Sequence, residues 1–354
     1  VTAPTLPAAP PRLFGSRLTR RARSLGGLLI SVALTFLGLL CITFVIGRVI
    51  PIDPALAIVG DRAPTHVYER VREELGLNLP LWRQFAIYVG QVLQGDFGTS
   101  ILTGRPVAED IARVFPATLE LATIGILIGV VFGVPMGVLA AVHRDRWPDQ
   151  LVRVVGLVGY SVPIFWLGLV GLLIFYARLG WVGGSGRLDF FNEGIAPSVT
   201  GVILIDAAVA GEWGVFRNAL HHLALPAALL GYFSLAYISR MTRSLMLEQL
   251  NQEYVVTARV KGVSEARVIW VHAFGNILVP LITVVALSYA SLLEGSVLTE
   301  TVFAWPGLDR YLTNALLAAD MAAVLGATLV VGLIFVGVNL LSDLLYRLVD
   351  PRAR

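Results

Sequence analysis

Apolar residues in this chain gather into runs too long for soluble strands and too continuous for half-buried surface helices. A bilayer core needs about 20 apolar residues per helix. Six runs approach or exceed that length: Leu25–Gly47, Ala117–Val142, Leu151–Ala177, Leu223–Ile238, Ile277–Leu298 and Met321–Leu345. The fourth is the shortest. A seventh stretch, Ile195–Ala210, is broken by Pro197 and Asp206 and reads as a surface or loop segment. The pattern predicts an all-α membrane protein with six transmembrane helices.

The polar segments divide the rest of the chain. Residues 1–24 are Pro- and Arg-rich and read as a disordered or surface-lying tail. The first run, 25–47, has an apolar core too long for a signal peptide, and no small-x-small cleavage site follows before Ile50-Pro51. Residues 48–115 form a large extramembrane segment. Within it His66–Leu75 has helical spacing, and Leu81–Leu93 carries a stripe of Leu81, Phe85, Tyr88, Val89 and Val92. Gly95-Asp-Phe-Gly98 marks a turn. Residues 116–348 hold the remaining five spans and a polar link over 240–276, and 349–354 are a short tail.

Composition agrees with the pattern. Hydrophobic residues are 56% and charged residues 14% of the chain, against roughly 25% charged in soluble domains, and the mean hydropathy is +0.76. The one cysteine, Cys41, lies inside an apolar run, which excludes a disulfide framework and a Cys/His metal cluster. Charge sets the orientation. Of the 27 basic residues, 16 fall on the side of the two termini, and the other 11 are spread through longer loops on the opposite side. The positive-inside rule then places both termini in the cytoplasm and 48–115 and 178–222 outside. The net charge of +3 reflects this bias. The arginines are scattered among membrane-adjacent loops, which does not make a nucleic-acid surface.

Chemistry is sparse. There is no Gly-x-x-x-x-Gly-Lys-[Ser/Thr] phosphate loop, since the sole lysine, Lys261, is followed by Gly262-Val263. No Gly-x-Ser-x-Gly elbow or His-Glu-x-x-His motif occurs, so no catalytic residue, metal site or cofactor is assigned. His221-His222 points in two directions on a helix and fits an ordinary membrane-interface position. The carboxylate and amide side chains within the runs are Glu120, Glu294, Asn339 and Asp343. Glu294 stands out, because it lies six residues, about 9 Å by helical rise, inside Glu300. A charge at such depth faces a cavity or a bundle interior.

The 240–276 link has helix character. Glu248–Val260 contains neither Gly nor Pro, Gly262 is a natural C-cap, and Arg259 and Lys261 suit the last turn. A second helical piece, Glu265–Phe274, follows, so the link reads as helix, glycine turn and helix near the membrane surface. Ala258 beside Gly262 gives a small-residue patch open to close approach.

At these residues the chain resembles the dipeptide/oligopeptide/nickel branch of ABC-importer permeases, over most of 25–353. The most specific stretch is Glu253-Tyr-x-x-Thr-Ala-Arg-x-Lys-Gly262, continuing through Arg267-Val268, His272-Ala273 and Asn276 to Pro280. Further marks are Leu75-Gly-Leu, Gly95-Asp-Phe-Gly-x-Ser100, Pro116-x-Thr118, Ser161-Val-Pro-x-Phe-Trp166, Leu298-Thr-Glu-Thr-Val-Phe303, Trp305-Pro-Gly-Leu308 and Asp350-Pro-Arg352. The chain departs from the usual pattern at Ile52, Val260, Gly275, Glu294 and Asp309. The resemblance implies the type I ABC importer permease fold in a bacterial inner membrane. It implies a homologous second permease subunit, two ATP-binding subunits that do the hydrolysis, and an external solute-binding protein. It implies that 253–262 is a cytoplasmic coupling helix, with Glu253, Tyr254, Thr257, Ala258, Arg259, Lys261 and Gly262 meeting the ATPase. Ser161, Pro163, Glu294 and Glu300 are the candidates for the translocation pathway, and the implied cargo is a di- or oligopeptide or a related small solute. The alternatives are a proton-coupled secondary carrier relaying through Glu294 and Asp343, and an intramembrane enzyme; neither needs a glycine-capped docking helix.

Overall fold

A computed structural model describes residues 15–49, 54–60, 63–74 and 76–349. The first part of the basic tail (1–14), Arg62, the last residues (350–354) and the side chain of Asp343 lie outside the described residues. The described residues are helical, with one isolated β-bridge between Thr99 and Pro106.

Among the described residues five helices are long and apolar enough to cross a membrane, and a bent pair passes the same test when its two arms are taken as one span. The first is α1 (Gly15–Val49), which begins ten residues before the apolar run, because 16–23 holds no Pro or Gly to stop it. Three short helices follow outside it: α2 (Pro54–Val59), α3 (Thr65–Glu74) and α4 (Leu81–Leu93). α3 and α4 lie where spacing predicts them, and the α4 stripe packs on α1, with Tyr88 Oη and Thr43 Oγ1 2.9 Å apart.

The second span, α5 (Val107–Val142), runs 36 residues. The third differs from a simple rod. α6 (Trp147–Ser161) and α7 (Ile164–Gly171), the latter extended by a π turn to Arg178, meet at 97°. The cause is Pro163, which cannot continue α6 and holds Val162 extended. After α8 (Ile203–Ala210), the shortest apolar run proves to be the middle of the longest helix, α9 (Trp213–Leu250). It passes through Pro226.

α9 and α10 (Glu253–Val260) are separate, where the absence of Gly and Pro predicts one helix over 248–260. Asn251 turns its amide back to the Leu247 carbonyl at 2.8 Å and Gln252 is extended, so the chain breaks there. The second piece of the link is not a surface helix either. α11 (Glu265–Arg267) passes through a π turn, Val268–Ala273, into α12 (Phe274–Glu294), giving one 30-residue rod. That rod ends at Glu294, four residues before the end of the apolar run, because Gly295 breaks it. α13 (Val297–Val302) and α14 (Leu308–Leu317) fold back over the end of the bundle before α15 (Met321–Val349).

α5 and α9 form the spine. Gly125, Gly129, Gly133 and Gly137 recur every fourth residue along α5, and a Cβ on any of them would run into α9 between Leu230 and Arg243. Such a small-residue stripe lets two helices approach until dispersion holds them, in a solvent where no hydrophobic effect drives association. The buried core over this spine comprises Leu121, Ile126, Leu230, Ile238, Val284 and Trp305 among others.

Candidate functional site

Two ends and one face of the bundle carry the candidate residues. At one end α10 projects from the loop between α9 and the α11–α12 rod. Its anchor is Val255, fully buried, while Tyr254, Val256 and Val260 are exposed, Val260 to 83%. Its C-terminus is closed by a Schellman motif. Gly262 adopts φ +77, its N–H bonds to the Arg259 carbonyl at 3.0 Å, and the Val263 N–H bonds to the Ala258 carbonyl at 3.1 Å. Arg259 then grips Glu265 with two bonds, at 2.6 and 3.1 Å. Tyr254 Oη donates to Gln249 at 3.0 Å and Thr257 Oγ1 to the Glu253 carbonyl at 2.9 Å. Glu253 and Lys261 point into solvent and Ala258 is half-buried. The short helix is thus rigidly held yet largely uncovered.

On one face, α6, α7, α9 and α12 enclose a cleft of about 340 Å³. Its lining mixes apolar side chains with Tyr160, Tyr237, Ser234, Ser288 and Ser291. Ser234 and Ser288 share a hydrogen bond at 3.1 Å. Sequence reasoning missed these five residues. The signal was present as Ser234/Tyr237 and Ser288/Ser291, pairs three apart on single helix faces within apolar runs. Ser161 and Pro163 are exposed at the kink beside the cleft. Glu294 is exposed at the last turn of α12, next to Gly295 of the cleft wall; it sits at a helix end and not at depth within a span.

Glu300 is elsewhere. It is fully buried at the end of the bundle opposite α10, and no face of it meets the cleft. Its carboxylate accepts from Thr118 Oγ1 at 2.6 Å, Ser296 Oγ at 3.1 Å and the Arg310 N–H at 2.9 Å. Thr118 in turn accepts from the Leu308 N–H at 2.7 Å, and the Trp305 indole donates to the Ala117 carbonyl at 2.9 Å. Gly307 lies against the Glu300 carboxylate with no room for a Cβ. The three motifs Pro116-x-Thr118, Thr299-Glu300 and Trp305-Pro-Gly-Leu308 are therefore one knot, tying α13 and α14 to α5.

Other buried carboxylates brace this end, Asp320 and Glu120 among them. Asp320 accepts from Ser100 Oγ at 2.6 Å and the Leu102 N–H at 3.1 Å, pinning the Gly95–Ser100 turn to the start of α15. Glu120 pairs with Arg187 and accepts from the Leu204 N–H at 2.9 Å. Arg187 also lies 5.6 Å from the centre of the Trp305 ring. His222 is buried, contacting the Gly186 carbonyl and Asp189, so the histidine pair forms no chelate.

Asp309 shares the Ser296 hydroxyl with Glu300, at 2.8 Å. One hydroxyl hydrogen serves one acceptor at a time, so a proton on Asp309 completes the chain Asp309–Ser296–Glu300. Burial, followed by the nearby Glu300 charge, raises the Asp309 carboxyl to about 7. The sign follows by linkage. Between the ordinary value of 3.8 and about 7 the folded chain keeps a proton that the unfolded chain has released. Stability therefore falls as pH rises through that window and levels off above it. Asp309→Asn is expected to flatten this fall, measured as the unfolding midpoint in detergent from pH 4.5 to 8.5. A slope unchanged in the variant would contradict the shared proton.

A bundle of long apolar helices, with a largely apolar cleft bearing a few hydroxyl groups on one face and a short capped helix projecting from one end, is the build of a membrane transport component. Residues 133–354 match the family described as binding-protein-dependent transport system inner membrane component, and residues 21–122 match its N-terminal counterpart, so the chain belongs to that family of multi-pass inner-membrane permeases. It is 46% identical to the probable D,D-dipeptide transport system permease protein DdpB of Escherichia coli, over 92% of this chain and 94% of that one. It is 44% identical to the di/tripeptide transport system permease protein DppB of Pseudomonas aeruginosa, over 90% of this chain and 95% of the relative. A solved chain of the MetNI methionine ABC transporter, in an inward-facing conformation, shares the fold with a TM-score of 0.50 and 17% identity. The match covers 66% of this chain and 93% of that one. The fold is thus that of a type I ABC importer permease.

Proposed function

We propose that the chain is one of two permease subunits of an ATP-driven importer and forms half of the path for small peptides. The observation that carries the coupling role is α10, fixed by its glycine cap and by Arg259–Glu265 while Val256 and Val260 stay uncovered. A helix held this stiffly and left this bare suits insertion into a groove on an ATP-binding partner, with Glu253, Tyr254, Thr257, Ala258, Lys261 and Gly262 at the contact. The peptide cargo is supported by relatives named for dipeptide and di/tripeptide transport, matched over nine-tenths of the chain. The cleft beside Ser161, Pro163 and Glu294 is the pathway wall, closed in the importer by a homologous second permease. An external solute-binding protein delivers to the end that carries α13 and α14. Glu300 belongs to the scaffold of that end.

The distribution of basic residues along the sequence supports a cytoplasmic position for both termini and α10. With Cys41 replaced by serine, an impermeant thiol reagent applied to intact cells is expected to label a cysteine at the exposed Phe190. It should miss cysteines at Arg146 and Arg259. Labelling at Arg259 from outside would overturn the orientation. Purification of the tagged chain should bring down two phosphate-loop ATPase chains, and a Val260→Cys variant should cross-link to one of them. Recovery without any ATP-binding chain would overturn the coupling role.

A further inference from the structure

A second cleft, of about 410 Å³, opens between α6 and α9 toward the α10 end, and its lining includes Arg153, Leu157, Tyr160, Arg240 and Arg243. Tyr160 also lines the hydroxyl-bearing cleft above, so the two clefts meet at that residue. The three guanidinium groups are not equivalent. Arg243 is spent on Asp149, with bonds at 2.5 and 2.7 Å to a carboxylate that is fully buried. Arg240 rests on the Tyr160 ring, 4.7 Å from its centre, and its one hydrogen bond among the described residues is a 3.4 Å contact to the same tyrosine's hydroxyl. Most of its donors are open. Arg153 is exposed, with no hydrogen bond or ion pair among the described residues. Asp149 is taken up by Arg243, and Asp145, the other carboxylate acting on Arg243, is paired with Arg144, which leaves Arg153 and Arg240 without a bonded carboxylate where the cleft ends.

We propose that Arg240 and Arg153 form a carboxylate-binding site at the inner end of the pathway, which receives the C-terminal carboxylate of the passing peptide. The proposal rests on the peptide-importer reading. A guanidinium offers planar, paired donors that match a carboxylate, and the tyrosine ring holds Arg240 ready at little entropic cost. Glu294 stands beside Gly295 at the other end of the upper cleft, which sets an acidic group near the entry and arginines at the exit. A zwitterionic peptide is drawn through carboxylate first. Exposure keeps the site hydrated and weak, as passage requires.

The rival occupant is the phosphate of an anionic lipid, and the experiment separates the two. The complete importer, with Cys41→Ser and Leu157→Cys, is reconstituted into vesicles of phosphatidylcholine with or without phosphatidylglycerol. Anionic and cationic methanethiosulfonate reagents of equal size are compared at the thiol introduced by Leu157→Cys. A cleft lined by one sign of charge should favour the anionic reagent by about tenfold. The Arg153→Gln/Arg240→Gln pair should abolish the preference, and Lys at both positions should restore it. Alanyl-alanine should slow the reaction, and its C-terminal amide should not. The Gln pair should also lower uptake of alanyl-alanine severalfold, with Lys restoring it. No charge preference, equal protection by the amide, or protection that follows only the phosphatidylglycerol content would overturn the carboxylate site while leaving the importer reading intact. If neither reagent reaches the introduced thiol, the cleft is not a water path and the pathway assignment falls with it.

Discussion

Glu300→Ala is expected to unfold the α13–α14 end of the bundle and lower stability by roughly 3 kcal/mol, since it orphans several buried donors at once. The Arg310 N–H and the Thr118 hydroxyl lose their acceptor, Ser296 keeps only Asp309, and the space beside Gly307 becomes a void. Glu300→Gln keeps the shape and an oxygen for Thr118. Its amide nitrogen, however, would then face the Arg310 N–H, so an intermediate loss is expected. The check is the unfolding midpoint in detergent together with the amount of chain inserted in the membrane. A midpoint unchanged in the alanine variant would show that the knot does not hold this end. Gly307→Ala should resemble Glu300→Ala, because a methyl group there meets the same carboxylate.

The second large effect is expected at α10. Ala258→Trp adds an indole to the half-buried side of a helix whose contact surface is short and otherwise open. Uptake should fall by more than about tenfold, equivalent to at least about 1.4 kcal/mol of lost coupling, while the amount of chain in the membrane and its unfolding midpoint stay unchanged. Gly262→Pro should act through the backbone. It removes the N–H that bonds to Arg259 and demands a negative φ where the chain needs +77. Persistence of both transport and solute-stimulated ATPase activity in the two variants would show that α10 does not couple.

Much of the architecture is legible in the sequence because membrane spans obey a length rule that a single chain states openly. Five of the six apolar runs became single long helices and the third became a pair bent at Pro163, and Gly262 announced its own cap. The misreadings have local causes. The 97° bend depends on how α6 and α7 pack after Pro163, which one proline does not specify. The break at Asn251 comes from a side chain bonding back to its own helix, a competition invisible in propensity. Glu294 looked deep because its helix was counted past Gly295.

The site divides the same way. The glycine-capped helix α10 was readable because its residues and its cap lie within ten consecutive positions. Glu300 was not, since its partners Thr118 and Arg310 come from distant segments brought together only by the fold. The arginines of the inner cleft were counted in the sequence as orientation signals. Only the pairing of Arg243 with Asp149 shows which of them remain free. The serines and tyrosines of the upper cleft were hidden in apolar runs, where hydroxyls are easily read as helix-packing groups.

The central claim is that this chain conducts solute under ATP hydrolysis by partner chains, against the alternative of a proton-coupled carrier. The direct measurement is accumulation of a labelled dipeptide in vesicles holding the complete importer and its binding protein, with ATP supplied on the α10 side and the proton gradient collapsed by an ionophore. Accumulation should require ATP and the binding protein and be indifferent to the ionophore. Accumulation that stops with the ionophore and proceeds without ATP would contradict the account.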